Sequence, residues 1–597
     1  MQTNIAYSFA EPAVIDPRNF TSSSAFDALG RVVQTTNTDG GTQTHSYNKR
    51  DEAVSFTDPA NVTSSFVRNG FGDMIQEVSP DRGTSTYTYD ANGQMVTATD
   101  GRGQRIDYVY DIAGRIVSKT PVGRPASETI SYAYDGAGVG GGLGGYQLGQ
   151  LTSVSDSSGV TRFGYDHRGN LLQRTQSVGA TAAASLTCSY DLADRITQIT
   201  YPSSRSVRYG YDAKGRVSGV DTRASAAAAW VTLASNMTYQ PFGAVETMAL
   251  GNGLITANER GLDGRLRGRR LTNASSAASP VGTKLSDISY GYDPDGNVTS
   301  MEDKVTPARS SLYGYDAASR VNLMVAEGSN APASYTYTPG TNKLASITTS
   351  VASGPSATRT VQYDARGNPA SETRNNGSGS TQAVTLAYDG HGRMTSYARS
   401  GEVALTHSYN GNDDRISTTT TSAATATPDT RRFVYAPDGR VIGEYGSSAS
   451  DVKAEFIWMN PQVGASGSFG GDDGTPESGG GGYMPLAVAA NDNIAPGTTQ
   501  LLWVHANHMG VPAVYTDASG AVIAPPAGYS APGFPGQSRT LMRLSACNWR
   551  RVPESNRSTR ICNPVHSLPA HPPEDQRCVG YAKCFVSARG MRLSKTL

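Results

Sequence analysis

The stretch Tyr87-Thr88-Tyr89-Asp90-Ala91-Asn92-Gly93-Gln94-Met95-Val96 constrains this chain more than any other, because it reads as a single β-hairpin and then recurs. Asp90 and Gly93 occupy the first and fourth positions of a turn, where Asp bonds the backbone ahead of it and Gly accepts a positive φ. A three-residue loop of this kind joins two strands whose side chains alternate. Tyr87 and Tyr89 then share one face, and pairing Asp90 with Gln94 sets Tyr89 opposite Met95. Tyr110-Asp111-Ile112-Ala113-Gly114-Arg115 repeats the unit 21 residues later, and Tyr211-Asp212-Ala213-Lys214-Gly215-Arg216 repeats it again.

Between residues 1 and about 80 the copies are degenerate, as in Phe26-Asp27-Ala28-Leu29-Gly30-Arg31, Tyr47-Asn48 and Phe71-Gly72-Asp73. Clear copies run over 81–220, a divergent segment spans 221–285 (Tyr239-Gln240-Pro241-Phe242-Gly243 within it), and the units resume over 286–462. The spacing of 21 to 25 residues is the length of two short strands and two turns, and a fixed period of that size signals a repeat array. One two-stranded unit cannot bury its apolar face alone, so neighbours must associate. The expected fold is all-β. Residues 463–500 read as a glycine-rich flexible linker, and a different module follows at Leu501-Leu502-Trp503-Val504-His505-Ala506-Asn507-His508-Met509-Gly510-Val511-Pro512. After Phe534-Pro535-Gly536-Gln537 the composition breaks: residues 541–597 hold ten Lys/Arg against three acids and four of the five cysteines.

Lys+Arg 51 balances Asp+Glu 51 over the whole chain, and without residues 541–597 the remainder holds 41 basic against 48 acidic residues, so the repeat body has no electrostatic pull toward nucleic acid or an anionic membrane. No stretch reaches the roughly 20 apolar residues that cross a bilayer as a helix. The N-terminus lacks a signal-peptide pattern, so the expected location is outside the cell by a signal-less route, or otherwise the cytoplasm.

These residues together resemble the rearrangement-hotspot (RHS), or YD-repeat, family. The resemblance covers about residues 20–537 and rests on the Tyr-Asp-x-x-Gly-Arg units, on Tyr239–Gly243 and on the His505–Pro512 stretch. That stretch is similar to the opening of the family's core-associated region, with Asn507 where an Asp is usual. The resemblance implies hairpins wound as a spiral sheet into a hollow shell. In bacterial members the shell encloses a variable C-terminal toxin, which an aspartate-dependent self-cleavage frees; related shells occur in insecticidal toxin complexes and teneurin adhesion proteins. The acidic, tyrosine-rich continuation and the Asp-Pro-x-Gly motif of the cleavage region have no counterpart after Gln537, so no protease residue is transferred. Residues 538–597 are expected to be an unrelated or frameshifted tail.

No residue pattern argues for catalysis, and no cofactor is expected. Tyr89, Asp90, Gly93, Tyr110, Asp111, Gly114, Arg115, Tyr211, Asp212, Gly215 and Arg216 are expected as the structural repeat motif, and His505, His508, Gly510 and Pro512 as a core-like structural motif. His505-x-x-His508 could ligate a metal but lacks further ligands in defined geometry. Asp293-Pro294-Asp295-Gly296-Asn297 faintly resembles a calcium loop, yet it lacks the closing Glu and sits where other repeats turn. The repeated tyrosines are expected to pack between hairpins, with a carbohydrate-stacking ladder as the competing use. The leading functional expectation is a non-catalytic shell of the kind that holds a toxin polypeptide. Three others stay open: a carbohydrate-binding surface or adhesion protein, a toxic tail, and a truncated fragment that associates through open hairpin faces.

Overall fold

The structure is a computed structural model that describes residues 4–523 apart from 7–12, 17–18, 137–142, 180–182, 242, 275–281, 326–330, 351–353, 423–424, 461–483, 492–498, 509 and 511. The expected tail at 538–597 lies outside the described residues. Forty-three strands and two short 3-10 turns, Ala126–Glu128 and Pro307–Arg309, make up the described fold. Each strand pairs antiparallel with the next in sequence, from Asn4–Ala6 against Ala13–Ile15 to Pro512–Thr516 against Val522–Ile523. No ladder joins the first strand to the last, so the sheet is one open meander.

The hairpin at Tyr89 forms as its residues dictate. Met95 pairs with Tyr89, and the register then skips a residue before Thr97 meets Thr88. Gly93 takes φ +76° and donates its N–H to the Asp90 carbonyl. This bulged turn recurs at every clear copy, as at Tyr110–Ile116 and Tyr211–Val217. It increases local twist, and twist compounded over many strands curls a sheet. Between these YD turns lie intervening turns on the opposite ends of the strands, such as Asp100-Gly101-Arg102-Gly103.

The curl brings the chain back over itself. Intervening turns from the first half bond to YD turns of the second half, from Asn37 with Asp295 to Asp156 with Gly411, and farther along Asn252 bonds Thr516 beside the intervening turn that follows Pro512–Thr516. Tyr209 bonds a carbonyl 249 residues away and Tyr132 one 279 residues away. The described chain therefore runs through two coils joined by a continuous seam, and the hairpins meet their sequence neighbours edge to edge. The largest apolar core lies where Leu186–Leu271 of the first coil faces Val434–Tyr515 of the second, with Val207, Leu233 and Val488 fully buried.

Two boundaries are corrected. The span 463–500, expected as a flexible linker, contains the strand Pro485–Asn491, which pairs with both Val452–Trp458 and Thr499–Ala506. Pro485 through Ala490 are buried on both faces and so lack the alternation that marks a half-exposed strand. The stretch from 501, expected as a different module, continues the same meander into the strand Pro512–Thr516.

At the seam, a Cβ on Gly411 would press into Val154 and Ile130 of the other coil, whereas one on Gly70 would meet open space. Gly411→Val should therefore cost about 1–3 kcal/mol by overpacking, and Gly70→Ala should stay within about 0.5 kcal/mol. Thermal or denaturant unfolding of the two variants checks the difference.

Candidate functional site

Every part of the Tyr-Asp-x-x-Gly-Arg unit has a mechanical role in the wall. The Tyr89 hydroxyl donates to the Met74 carbonyl at 2.8 Å, that of Tyr110 to Met95 at 2.8 Å, and that of Tyr211 to Ile196 at 2.7 Å. Fifteen tyrosines, from Tyr47 to Tyr435, make this bond among the described residues. In each case the acceptor opens the strand after the preceding YD turn, beside a bulge where the ladder skips a residue. The tyrosine thus satisfies a carbonyl at an interruption of the ladder and ties one repeat to the one before it. Trp458 does the same with its indole N–H on the Val441 carbonyl.

Asp and Arg complete the unit. Asp111 Oδ1 accepts the Ala113 and Arg115 amides while its Oδ2 accepts Arg115 Nε at 2.8 Å. Arg115 also reaches forward to Asp135 at 2.8 Å and lies 4.4 Å over the Tyr134 ring. Asp212 and Arg216 repeat the pattern, with Arg216 4.4 Å over Tyr239. The Arg216 amide above all holds the Asp212 carboxyl below the usual carboxylate range. Gly114 and Gly215 take φ +79° and +80°, as the turn requires. Tyrosine therefore stitches backward and arginine braces forward. The rings weighed as a carbohydrate ladder are committed to these contacts. The opposite sheet face carries hydroxyl pairs such as Thr88 with Thr97 and Ser46 with Ser55.

The seam uses residues that sequence reasoning passed over. Acids and polar groups on the intervening turns of the first coil grip the YD turns of the second. Glu128 accepts the Gly390 amide at 2.7 Å, Asp156 accepts the Gly411 amide at 2.6 Å, and Asp58 and Asp81 both accept from the Asn342 side chain. Farther along, the buried Arg205 pairs with the buried Glu455 at 2.8 Å, and Tyr445 and Ser203 also donate to Glu455. The available signal was a second turn in each period, as in Asp100-Gly101-Arg102-Gly103, lying between the YD units.

The core-like motif docks onto the same seam. His505 Nε2 bonds Thr516 Oγ1 at 2.9 Å on the adjacent strand, while the His508 ring stands edge-on to Tyr290 with centroids 4.9 Å apart. The Arg269 guanidinium donates to the Ala506 and Asn507 carbonyls. Burial first, and then the Arg269 charge, pushes His505 down to about 3 and His508 down to about 4. Gly510 turns with φ +73°, and Pro512 pairs with Ala506. The Asp293–Asn297 segment is a turn: Asp293 caps the Asn297 amide, and Asp295 takes hydrogen bonds from Asn37, Thr38 and Asp39 across the seam. Among the described residues, no three His, Cys, Asp or Glu side chains group as metal ligands. What this arrangement can do is hold a wall together.

The profile of the RHS Repeat family matches residues 68–105, 89–125, 147–181 and 190–227. The fold is similar to the crystal structure of TcdB2-TccC3 (TM-score 0.62, 15% identity) and to the same protein without its hypervariable C-terminal region (0.61, 16%); each match covers 87% of this chain and 29% of the other. A Photorhabdus luminescens Tc holotoxin pore matches with TM-score 0.52 at 15% identity, over 87% and 28% of the two chains. This chain thus spans less than a third of the length of those proteins, and at such identity the likeness establishes the fold. No curated protein matches the chain in sequence.

Two measurements check the roles assigned to these residues. Tyr110→Phe should cost about 1 kcal/mol by leaving the Met95 carbonyl without its partner. Arg205→Met should cost about 3–5 kcal/mol by leaving Glu455 buried and uncompensated. The exposed Arg105–Asp107 pair, removed by Asp107→Asn, should cost no more than about 0.5 kcal/mol. Equilibrium unfolding of the three variants gives the ranking. The pH dependence follows from the tyrosines: burial pushes Tyr89, Tyr134, Tyr239 and Tyr363 up to about 12, against about 10 in an unfolded chain. Their folded-state values are raised, so the stability they contribute is full below about pH 10 and is lost between about 10 and 12. Unfolding monitored by circular dichroism during an alkaline titration should show that window, with tyrosinate absorbance rising together with unfolding.

Proposed function

This chain is an RHS-repeat protein with the fold of a shell wall, and from that premise we propose that it acts by enclosing a polypeptide, binding and carrying it without transforming it. The observation that supports this reading is the seam. A 43-strand sheet closed coil upon coil by turn-to-turn bonds forms a continuous barrier, and its signature side chains are committed to that barrier. One solved protein of similar fold is named a Tc holotoxin pore, and that name supports taking a toxin polypeptide as the cargo class. No helix among the described residues is long and apolar enough to cross a membrane.

Protection of an attached chain tests the proposal. An unstructured, protease-sensitive polypeptide fused after Leu597 should be digested at least tenfold more slowly on the intact protein than when free. Protection should fall with Arg205→Met, which opens the seam. Equal digestion rates for attached and free polypeptide would contradict enclosure.

A further inference from the structure

The strand after each YD turn opens with the residue that pairs across to the turn's tyrosine position. Among the described residues that opening residue is apolar at every turn but one, as with Met74, Met95, Ile116, Val217 and Met394. Opposite Tyr409 it is Arg415. This arginine is only 6% exposed, yet its guanidinium has no hydrogen bond and no ion pair among the described residues. It lies 4.9 Å from the centre of the Phe433 ring. The carboxylates around it are taken, Asp414 by Arg174 and Glu444 by Arg431 at 3.1 Å. His407 bonds Thr418 through Nδ1 and is held neutral, pushed down to about 3 by burial first and then by the Arg415 charge. Nothing in the wall therefore neutralises Arg415.

Other unmet valences gather beside it. His407 Nε2, Gln176 Oε1 and Arg174 Nε are buried without a partner, as is Arg415 Nε. Gln176 ties this group to Phe433 by donating to its carbonyl. The terminal nitrogens of Arg415 keep contact with solvent, so the fork is open at its tip. A sheet closed into coils crowds side chains on its concave face and spreads them on its convex face. Leu405 and His407 are each 6% exposed, whereas Thr406 and Ser408 between and beyond them are exposed. Arg415, with Phe433 and His407, thus faces the hollow.

A charge taken from water without a partner is strongly disfavoured, and buried arginines are ordinarily matched by carboxylates, as Arg205 is by Glu455. A position that breaks both this rule and the apolar rule of its own repeat marks a functional site. We propose that Arg415 is an oxyanion-binding site on the inner face of the wall, and that its ligand is a carboxylate of the enclosed polypeptide. A guanidinium offers two parallel N–H donors that match a carboxylate in one plane. Stacked on Phe433, the fork is held in place before the ligand arrives and loses little freedom on binding. Phosphate shares this geometry, but the anions a polypeptide carries are Asp and Glu side chains and its C-terminus. The choice of cargo as the source rests on the enclosure reading; the anion site itself does not.

Arg415→Met separates a binding role from a structural one, because it installs the side chain that Met74, Met95 and Met394 place at this position. The variant should unfold at a denaturant concentration no lower than the wild type, since it removes an unpaired buried charge. Calorimetric titration of the full-length protein with sodium acetate should show saturable binding, weakened about tenfold or more by Arg415→Met. A polypeptide rich in Asp and Glu, fused after Leu597, should displace acetate, and its Asn and Gln counterpart should not. Protease protection of the same fusions reports enclosure separately. A less stable Arg415→Met, absence of acetate binding, phosphate binding without acetate binding, or acetate binding unchanged in Arg415→Met would each overturn the site. Protected acidic fusions that still bind acetate would overturn the cargo as its ligand. Unprotected fusions that bind acetate through Arg415 would overturn enclosure and support the site.

Discussion

The hydrogen bond from a repeat tyrosine to the carbonyl that opens the strand after the preceding YD turn is the contact on which this wall depends. The bulge that tightens each YD turn interrupts the ladder beside that carbonyl, and the incoming hydroxyl fills the gap. A buried carbonyl left without a donor costs about 1–3 kcal/mol, so each repeat relies on its successor to supply one. The coupling runs one way along the chain, hairpin to hairpin, as expected of an array whose units contact mainly their neighbours. Arginines such as Arg115 and Arg216 then lie over the next tyrosine ring, which fixes the ring that carries the hydroxyl.

Repetition makes the sheet, and curvature makes the coil. Once the strands have curled through a full circuit, intervening turns of the first coil meet YD turns of the second, and the seam is sealed by two kinds of chemistry. Over the first part it is polar, with Asp58, Asp81, Glu128 and Asp156 bonding amides and side chains across the junction. Toward the end it becomes an apolar core around Val207, Leu233, Phe456 and Val488, with the Arg205–Glu455 pair inside it. His505 and His508 belong to this second part. Their burial as neutral rings near Arg269 gives the seam an acid-sensitive point: stability is present above about pH 6.5 and lost as pH falls toward 3 to 4.

Much of the hairpin was legible because its causes are local. The Asp90–Gly93 turn, the pairing of Tyr89 with Met95 and the bracing of Asp111 by Arg115 all lie within six residues in sequence. The target of the tyrosine hydroxyl was not legible, since Tyr89 reaches 15 residues back to a carbonyl that any residue could supply. Nor was the seam, whose partners are set by twist summed over many strands: nothing near Glu128 announces Gly390, 262 positions away. The strand Pro485–Asn491 escaped for another reason. Buried on both faces between its neighbours, it shows no alternation, and the glycines before it suggested a linker.

The central claim is that the sheet coils onto itself in this register, and photo-crosslinking across the seam tests it most directly. His391 Nε2 lies 2.8 Å from the Glu128 carbonyl oxygen, 263 residues away in sequence. With a benzophenone-bearing amino acid in place of His391, irradiation of the full-length protein should yield cross-links that mass spectrometry maps to the neighbourhood of Glu128. Cross-links confined to the hairpins adjoining residue 391 in sequence would contradict the coil.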